Sequence, residues 1–83
     1  MPKFLTFHAE PERLWDDLVE KYRTLARETT AVWIRTYIFE DGTQRVCEWD
    51  APGPEPLHVI FTRTGISYDR IVPVREVLPS SWR

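Results

Sequence analysis

Hydrophobic and polar residues alternate on both sides of Asp41-Gly42, and this pattern predicts a β-hairpin over residues 32–51. An Asp-Gly pair between two alternating runs favours a two-residue type I′ turn, because both turn positions need a positive φ. Counting outward from this turn fixes which residues face each other. One side of the hairpin then carries Trp33, Arg35, Tyr37 and Phe39 with Gln44, Val46, Glu48 and Asp50, and the other carries Val32, Ile34, Thr36 and Ile38 with Arg45, Cys47, Trp49 and Ala51.

The periodicity of the remaining chain predicts two strands and two helices. A short aromatic run predicts a strand over residues 4–8, and apolar residues at three- and four-residue spacing predict a helix over residues 11–27, with Pro11 in its first turn. A second helix is predicted from residue 54 or 56 to residue 64, where Gly65 supplies a left-handed end. A last strand is predicted over residues 70–78, and Pro73 within it indicates an edge strand or a bulge.

The order strand, helix, strand, strand, helix, strand predicts an α+β fold, the ferredoxin-like βαββαβ plait. A right-handed crossover from the first strand to the second leaves a gap for the third, which gives a four-stranded antiparallel sheet with both helices on one face. We expect residues 1–83 to form a single domain. The face under the helices is predicted to hold Leu5, Phe7, Val32, Ile34, Ile38 and Cys47, and the open face is predicted to hold Phe4, Thr6, His8, Trp33, Arg35, Tyr37, Glu48 and Asp50.

Composition adds the expectation of a partner. A chain of 83 residues has a thin core, and its one cysteine, Cys47, which we expect to be buried and inert, rules out an internal disulfide framework. Oligomerisation is the remaining route to stability that we favour. The net charge of −2 gives no basic surface for nucleic acid, and the chain contains neither an export signal nor a membrane-length apolar run. We therefore expect a cytoplasmic protein.

Several short segments, spread in order over almost the whole chain, carry a resemblance to a known family. They are Met1-Pro2-Lys3-Phe4, His8, Cys47-Glu48-Trp49-Asp50-Ala51-Pro52, Thr64-Gly65-Ile66, Asp69-Arg70-Ile71-Val72 and Val77-Leu78-Pro79. Together they resemble a family of small bacterial ferredoxin-like domains of unknown function, some members of which are described as nickel-binding or nickel-responsive. The resemblance implies a homodimer packed sheet against sheet, as in a dimeric α/β barrel, and nickel as a candidate metal.

His8 is the candidate residue with the largest number of possible roles. On the open face, near Tyr37 and Val46, a neutral imidazole could act as a proton shuttle or a metal ligand. The simpler interpretation is a partly buried histidine that hydrogen-bonds to Tyr37 or to the backbone at a dimer interface. A nickel or zinc site needs about four to six donors, and the sequence has no His-x-x-His, Cys-x-x-Cys or His-Glu-x-x-His spacing. A metal site would therefore combine His8 with carboxylates or use both subunits.

The predicted pairs Arg35–Glu48 and Trp33–Asp50 on the open face allow two interpretations. The structural one is a cross-strand ion pair worth about 0.2–1 kcal/mol. The functional one is a cavity between two sheets, in which Arg35 binds a small carboxylate between the walls of Trp33, Tyr37 and Phe4. The candidate ligand-binding residues are His8, Trp33, Arg35, Tyr37, Glu48 and Asp50, with His8 as the candidate metal ligand.

The leading hypothesis is a small homodimeric binding domain for a metal ion or a small molecule. The alternative is a cofactor-independent enzyme, similar to an oxygenase or isomerase, with a cavity near His8, Tyr37 and Arg35. RNA recognition on the same topology is disfavoured, because the carboxylates of the open face would repel phosphates. Trp82 is predicted to pack on the partner or on the sheet edge.

Overall fold

The structure is a computed structural model that describes residues 1–9 and 15–83. Its elements, in chain order, are β1 (Lys3–His8), α1 (Trp15–Leu25), β2 (Val32–Ile38), β3 (Arg45–Asp50), α2 (Pro54–Thr64), β4 (Arg70–Val74) and a short 3₁₀ turn (Pro79–Trp82). The four strands form one antiparallel sheet in the order β2-β3-β1-β4. This is the predicted ferredoxin-like α+β plait, with β1 and β3 in the centre.

α2 begins and ends as the sequence predicts, and hydrogen bonds from α1 reach its end. α2 begins at Pro54 and is ended by Gly65, whose φ of 70° is the left-handed conformation expected there. The ammonium of Lys21 on α1 donates hydrogen bonds of 3.0 Å to the carbonyls of Thr64 and Gly65, which ties the two helices together. The predicted start of α1 at Pro11 lies outside the described residues.

The core lies between the helices and the sheet. Leu57, Ile60 and Phe61 of α2 are buried, and Trp49 of β3 meets the Phe61 ring edge to face at 5.8 Å. Burying a side chain of this size stabilises a fold by about 1.5–3 kcal/mol. These buried side chains therefore provide much of the free energy that holds α2 against the sheet.

Near its turn the hairpin has the predicted register, but the turn is not of the predicted type. Gly42 has a φ of 75°, but among the described residues only glycines have a positive φ. Asp41 therefore cannot belong to a type I′ turn. The Gly42 N–H instead donates to the carbonyl of Phe39 at 2.8 Å, and the Phe39 N–H donates to the carbonyl of Gln44. The loop is therefore longer than predicted. Compared with the prediction, the loop gains one residue from each strand. These two residues were predicted to pair with each other, so the register of the strand pairs next to the loop is unchanged.

A β-bulge in β2 changes the faces beyond Arg35. The pairs Ile38–Arg45 to Arg35–Glu48 are as predicted, but Trp33 then lies opposite Trp49, with Ile34 as the extra residue. The predicted pairing of Trp33 with Asp50 is wrong, because Val32 takes that place. Trp33 consequently belongs to the helix side of the sheet, whereas Val32 and Ile34 are exposed.

The predicted faces of β1 are also wrong, because each residue lies on the face opposite to the one predicted. Phe4, Thr6 and His8 are buried under the helices, whereas Leu5 and Phe7 lie on the open face. The cause is the pairing of Thr6 with Cys47, which places both residues on one side of the sheet. Because β1 has aromatic residues on both faces, its hydrophobic pattern alone does not identify the buried one.

The last strand is shorter than predicted. β4 ends at Val74, which pairs with Lys3 at the start of β1, so later residues have no strand beside them. β4 is an edge strand, in agreement with the interpretation of Pro73. Trp82 is 80% exposed and does not pack on the sheet edge. None of the helices in residues 1–9 and 15–83 has the length and apolar character needed to cross a membrane.

Candidate ligand-binding face of the sheet

A chain of charged groups crosses the middle of the open sheet face. The ammonium of Lys3 lies 2.5 Å from Glu48 Oε2 and 3.3 Å from Asp50 Oδ1, while Glu48 Oε1 lies 3.2 Å from Arg35 Nε. Lys3, Glu48 and Arg35 come from three adjacent strands in a row, because β3 lies between β1 and β2. Glu48 therefore holds two cations in fixed positions, and Asp50 adds a second contact to Lys3.

Arg35 is the group of this network that is most available to a ligand. Its side chain is 56% exposed, compared with 12% for Glu48. A hydrogen bond to the Tyr37 hydroxyl, together with the charge of Glu48, raises the pKa of the Arg35 guanidinium, and the carboxylate of Glu76 adds a weaker effect in the same direction. Since a guanidinium has five N–H donors, Arg35 can contact Glu48 and Tyr37 and still bind a carboxylate.

Apolar side chains surround the charged groups on this face. Tyr37 is 60% exposed, and Leu5, Phe7 and Val46 are half-buried. The guanidinium of Arg70 lies over the Phe7 ring at 4.1 Å from its centre, a cation–π contact at the β4 side. The face thus combines an apolar floor with a few fixed charges, which is the usual composition of a small-molecule site.

The other predicted site residue of β1, His8, does not belong to this face. His8 is almost completely buried beneath Phe61, whose ring it meets at 5.0 Å. Its Nδ1 lies 2.9 Å from the carbonyl oxygen of Ser67, and its Nε2 lies 2.9 Å from Thr6 Oγ1. A carbonyl oxygen can only accept, so Nδ1 donates to Ser67; when the ring is neutral, Nε2 then accepts from Thr6. His8 is therefore positioned as a structural residue.

Trp33 likewise lies on the helix side. Its ring stacks on Tyr22 of α1 with a centroid distance of 5.3 Å, and its Nε1 donates to Thr36 Oγ1 at 2.9 Å. The structure accordingly brings Arg35, Tyr37, Glu48 and Asp50 together and separates His8 and Trp33 from them. A single cavity bordered by His8, Tyr37 and Arg35, as the enzyme alternative requires, is not formed by this chain.

The described cavity beside His8 is too small for a substrate. A cavity of about 10 Å³ lies between α1 and the sheet, and its lining includes His8, Tyr22, Arg45 and Cys47. This volume suits one water molecule. Desolvation by burial raises the pKa of the Cys47 thiol, which accepts a hydrogen bond from Thr36 at 3.0 Å. Cys47 is therefore buried and protonated at neutral pH.

A wider groove on the helix layer is occupied by internal contacts. It has a volume of about 320 Å³ and lies between α1 and α2. Its cationic side chains are already engaged, because Lys21 binds the end of α2 and Arg63 pairs with Glu28. This groove offers a ligand fewer available charges than the open face does.

The described residues do not fit a metal ion. Within residues 1–9 and 15–83, no group of three or more His, Cys, Asp or Glu side chains is arranged to hold one. The carboxylates of Glu48 and Asp50 do converge on one point, but the ammonium of Lys3 lies there. His8 Nε2 lies 2.9 Å from Thr6 Oγ1, and His58 on the outer side of α2 has its Nδ1 2.5 Å from the Tyr68 hydroxyl.

Comparison with known proteins gives the family. The model of the nickel responsive protein SCO4226-like family matches residues 7–74. The chain belongs to this family. The structure is also similar to the crystal structure of SCO4226 from Streptomyces coelicolor A3(2), with a TM-score of 0.74 over 92% of this chain and 99% of that one. The two sequences are 15% identical, so this likeness concerns the fold alone. No curated protein matches the chain significantly.

Sequence reasoning missed Lys3 and Arg70 as members of the open face. Lys3 and Leu5 lie on the face of β1 opposite to Phe4 and Thr6. Because the prediction reversed these two faces, it did not bring Lys3 next to Glu48. The pairing of Phe7 with Arg70 across β1 and β4 places both on the open face. The registers of β1 with β3 and with β4 would have been the signals needed to find them.

Proposed function

We propose that this member of the SCO4226-like family is a cytoplasmic homodimeric binding domain, in which two open sheet faces pack together and enclose a site for a small carboxylate ligand. The observation that carries the proposal is the arrangement at Arg35. Its guanidinium pairs with Glu48, remains more than half exposed, and stands among the apolar side chains of a face that also carries Lys3 and Asp50.

The surface area of the chain supports the dimer. The accessible surface is 5860 Å², whereas a monomer of 9.9 kDa exposes about 5,200 Å² on average. The excess of roughly 650 Å² approaches the area of about 800 Å² that each partner contributes to a stable interface. The helices cover one side of the sheet, so the open face is the large surface available for such packing.

The test of the dimer compares two substitutions of valine. Val46→Glu places a charge on the open face, and Val59→Glu places the same charge on an exposed position of α2. Sedimentation equilibrium should show a dimer for the wild type and for Val59→Glu, and a monomer for Val46→Glu. A wild type that remains monomeric at high concentration would refute the homodimer.

The ligand class is tested with benzoate, which offers a carboxylate to Arg35 and a ring to Tyr37. We expect benzoate, but not benzyl alcohol, to perturb amide signals of β2 and β3 in NMR titrations. Arg35→Gln should abolish the effect, whereas Arg23→Gln on the exposed side of α1 should leave it unchanged. Equal perturbation in both variants would contradict a carboxylate site at Arg35.

The family favours a nickel-related role as a second candidate. The described donors of one copy do not form a nickel site, so bound nickel would need carboxylates of two copies after displacement of Lys3. Elemental analysis and Ni²⁺ titration of protein without a histidine tag test this role. Stoichiometric nickel that is lost in Glu48→Gln and kept in Glu55→Gln would support it. Absence of stoichiometric nickel from the wild type would remove it.

A further inference from the structure

Arg70 is a second exposed arginine of the open sheet face, and no carboxylate of the described residues pairs with it. It begins β4 opposite Phe7 of β1, and its guanidinium carbon lies 4.1 Å from the centre of the Phe7 ring. Within residues 1–9 and 15–83 it forms no ion pair, not even with its neighbour Asp69. A cation–π contact uses no N–H group in a hydrogen bond to oxygen, so the five donors of this guanidinium are available to an anion.

The charges that the four strands place on this face do not balance. Lys3, Arg35 and Arg70 are cationic, whereas only Glu48 and Asp50 are anionic. Both carboxylates already contact Lys3, and Glu48 also contacts Arg35. The unbalanced positive charge therefore lies at Arg70, where an anion can bind without displacing a described carboxylate.

The two arginines reach inward from opposite edges of the sheet. Arg70 starts on β4 and lies over Phe7 of the central strand β1, whereas Arg35 starts on β2 and contacts Glu48 of the central strand β3. Phe7 pairs with Val46, two residues before Glu48, so Phe7 and Glu48 are diagonal neighbours. Such neighbours are about 7–8 Å apart. One small molecule can therefore contact both guanidinium groups.

The surface between these two contacts is apolar. Val46 lies opposite Phe7, and Leu5 lies opposite Glu48, so the two apolar residues occupy the other corners of the same four-residue block. Both are half-buried and offer no polar side-chain group. The middle of a ligand that spans the block would therefore rest on hydrocarbon, with a cation on either side.

We propose that the ligand of the open face is a dicarboxylate with a short apolar spacer, one carboxylate bound by Arg35 and the other by Arg70. The inference rests on the proposed carboxylate site at Arg35, whose ligand class it narrows. A guanidinium binds a carboxylate through two parallel N–H groups, which suits both positions. The contacts with Glu48 and Phe7 hold the two side chains in place beforehand, which lowers the entropic cost of binding.

NMR titration of the full chain with two matched probes tests the inference. The probes are para-phenylenediacetate, whose two flexible arms each end in a carboxylate, and its monomethyl ester, which has nearly the same shape and one carboxylate. For the wild type at neutral pH, we expect the diacid to bind at least about 10-fold more tightly than the ester, since a hydrogen-bonded ion pair is added. Only the diacid should perturb the amide signals of Phe7 and Arg70 in addition to those of β2 and β3.

Two arginine variants assign the second carboxylate. Arg70→Gln should reduce the ratio of the two affinities to about 1, whereas Arg23→Gln on the exposed side of α1 should keep the ratio of the wild type. If the two probes bind the wild type equally, or if Arg70→Gln keeps the ratio, Arg70 does not bind a second carboxylate, although the site at Arg35 stands. If neither probe perturbs β2 and β3, both proposals fail.

Discussion

Thr6 Oγ1 lies 2.9 Å from His8 Nε2, so that two polar side chains of one strand satisfy each other beneath the helices. Trp49 Nε1 donates to the same hydroxyl at 3.2 Å, and His8 Nδ1 passes the chain of hydrogen bonds on to Ser67. The groups alternate as donors and acceptors from Trp49 to Ser67. This arrangement explains how the buried face of β1 accommodates a threonine and a histidine.

The first prediction concerns His8. His8→Ala should lower the free energy of unfolding by about 2–4 kcal/mol, because it leaves a cavity and deprives Thr6 and Ser67 of a buried partner. Urea denaturation measures the change. His58→Ala removes the exposed histidine of α2 and should cost less than about 1 kcal/mol. A cost for His8→Ala no larger than that of the control would contradict the hydrogen-bond chain.

The second prediction concerns the thiol of Cys47. Burial raises its pKa above the ordinary value of 9.0, so Ellman's reagent at about pH 8 should react roughly 100-fold more slowly with the native protein than with protein in guanidinium chloride. The raised pKa also means that the neutral thiol's contribution to stability is complete below pH 9.0 and declines as the pH rises from there toward the folded pKa. Rapid reaction of the native protein would show that Cys47 is accessible.

The third prediction concerns the ion pair of Lys3 and Glu48. A double-mutant cycle with Lys3→Met and Glu48→Gln should give a coupling of about 0.5–1 kcal/mol at neutral pH, because both groups are largely shielded from solvent. The hydrogen bond to Glu48 raises the pKa of Lys3 above 10.5, so this coupling is complete below pH 10.5 and is lost as the pH rises through the folded value.

The exposed pair of Arg23 and Glu20 on α1 provides the control for this cycle. Its side chains are 66% and 74% exposed, and its coupling should be smaller, at about 0.3 kcal/mol. The same coupling in both cycles would mean that the position of Glu48 between two cations adds nothing to the pair.

The fourth prediction concerns the hairpin loop. Gly42→Ser should destabilise the protein by about 1–2 kcal/mol, because the φ of 75° at this position is unfavourable for a residue with a Cβ. Gly53→Ser is the matched control, since Gly53 is the extended N-cap of α2, where serine is favoured. Thermal unfolding of the two variants compares them. Equal stability would indicate that the loop relaxes without strain.

Much of the fold followed from local patterns. The Asp41-Gly42 turn signal located the hairpin and its first pairs, although the turn itself has another geometry, since register depends on the strand residues more than on the loop. Pro54 and Gly65 marked α2 because their φ preferences act within one helix turn. The element order then limited the topology to the observed sheet.

The candidate site was only partly predictable. Arg35 and Glu48 were correctly paired because they lie between the turn and the bulge, where alternation holds. Trp33 lies beyond the bulge, and an inserted residue leaves no mark in a hydrophobic pattern. His8 was misplaced because the polarity of a side chain does not show whether a buried partner exists for it.

The sequence by itself determined the elements, their order and the charges that lie near the turn, since these depend on interactions between close neighbours in the chain. The tertiary structure decided which side of β1 is buried, through the pairing of Thr6 with Cys47, and thereby brought Lys3 to Glu48 and removed His8 from the open face. Contacts between strands that lie about 40 residues apart in the chain are set by the packing of the whole sheet. No local periodicity contains that information.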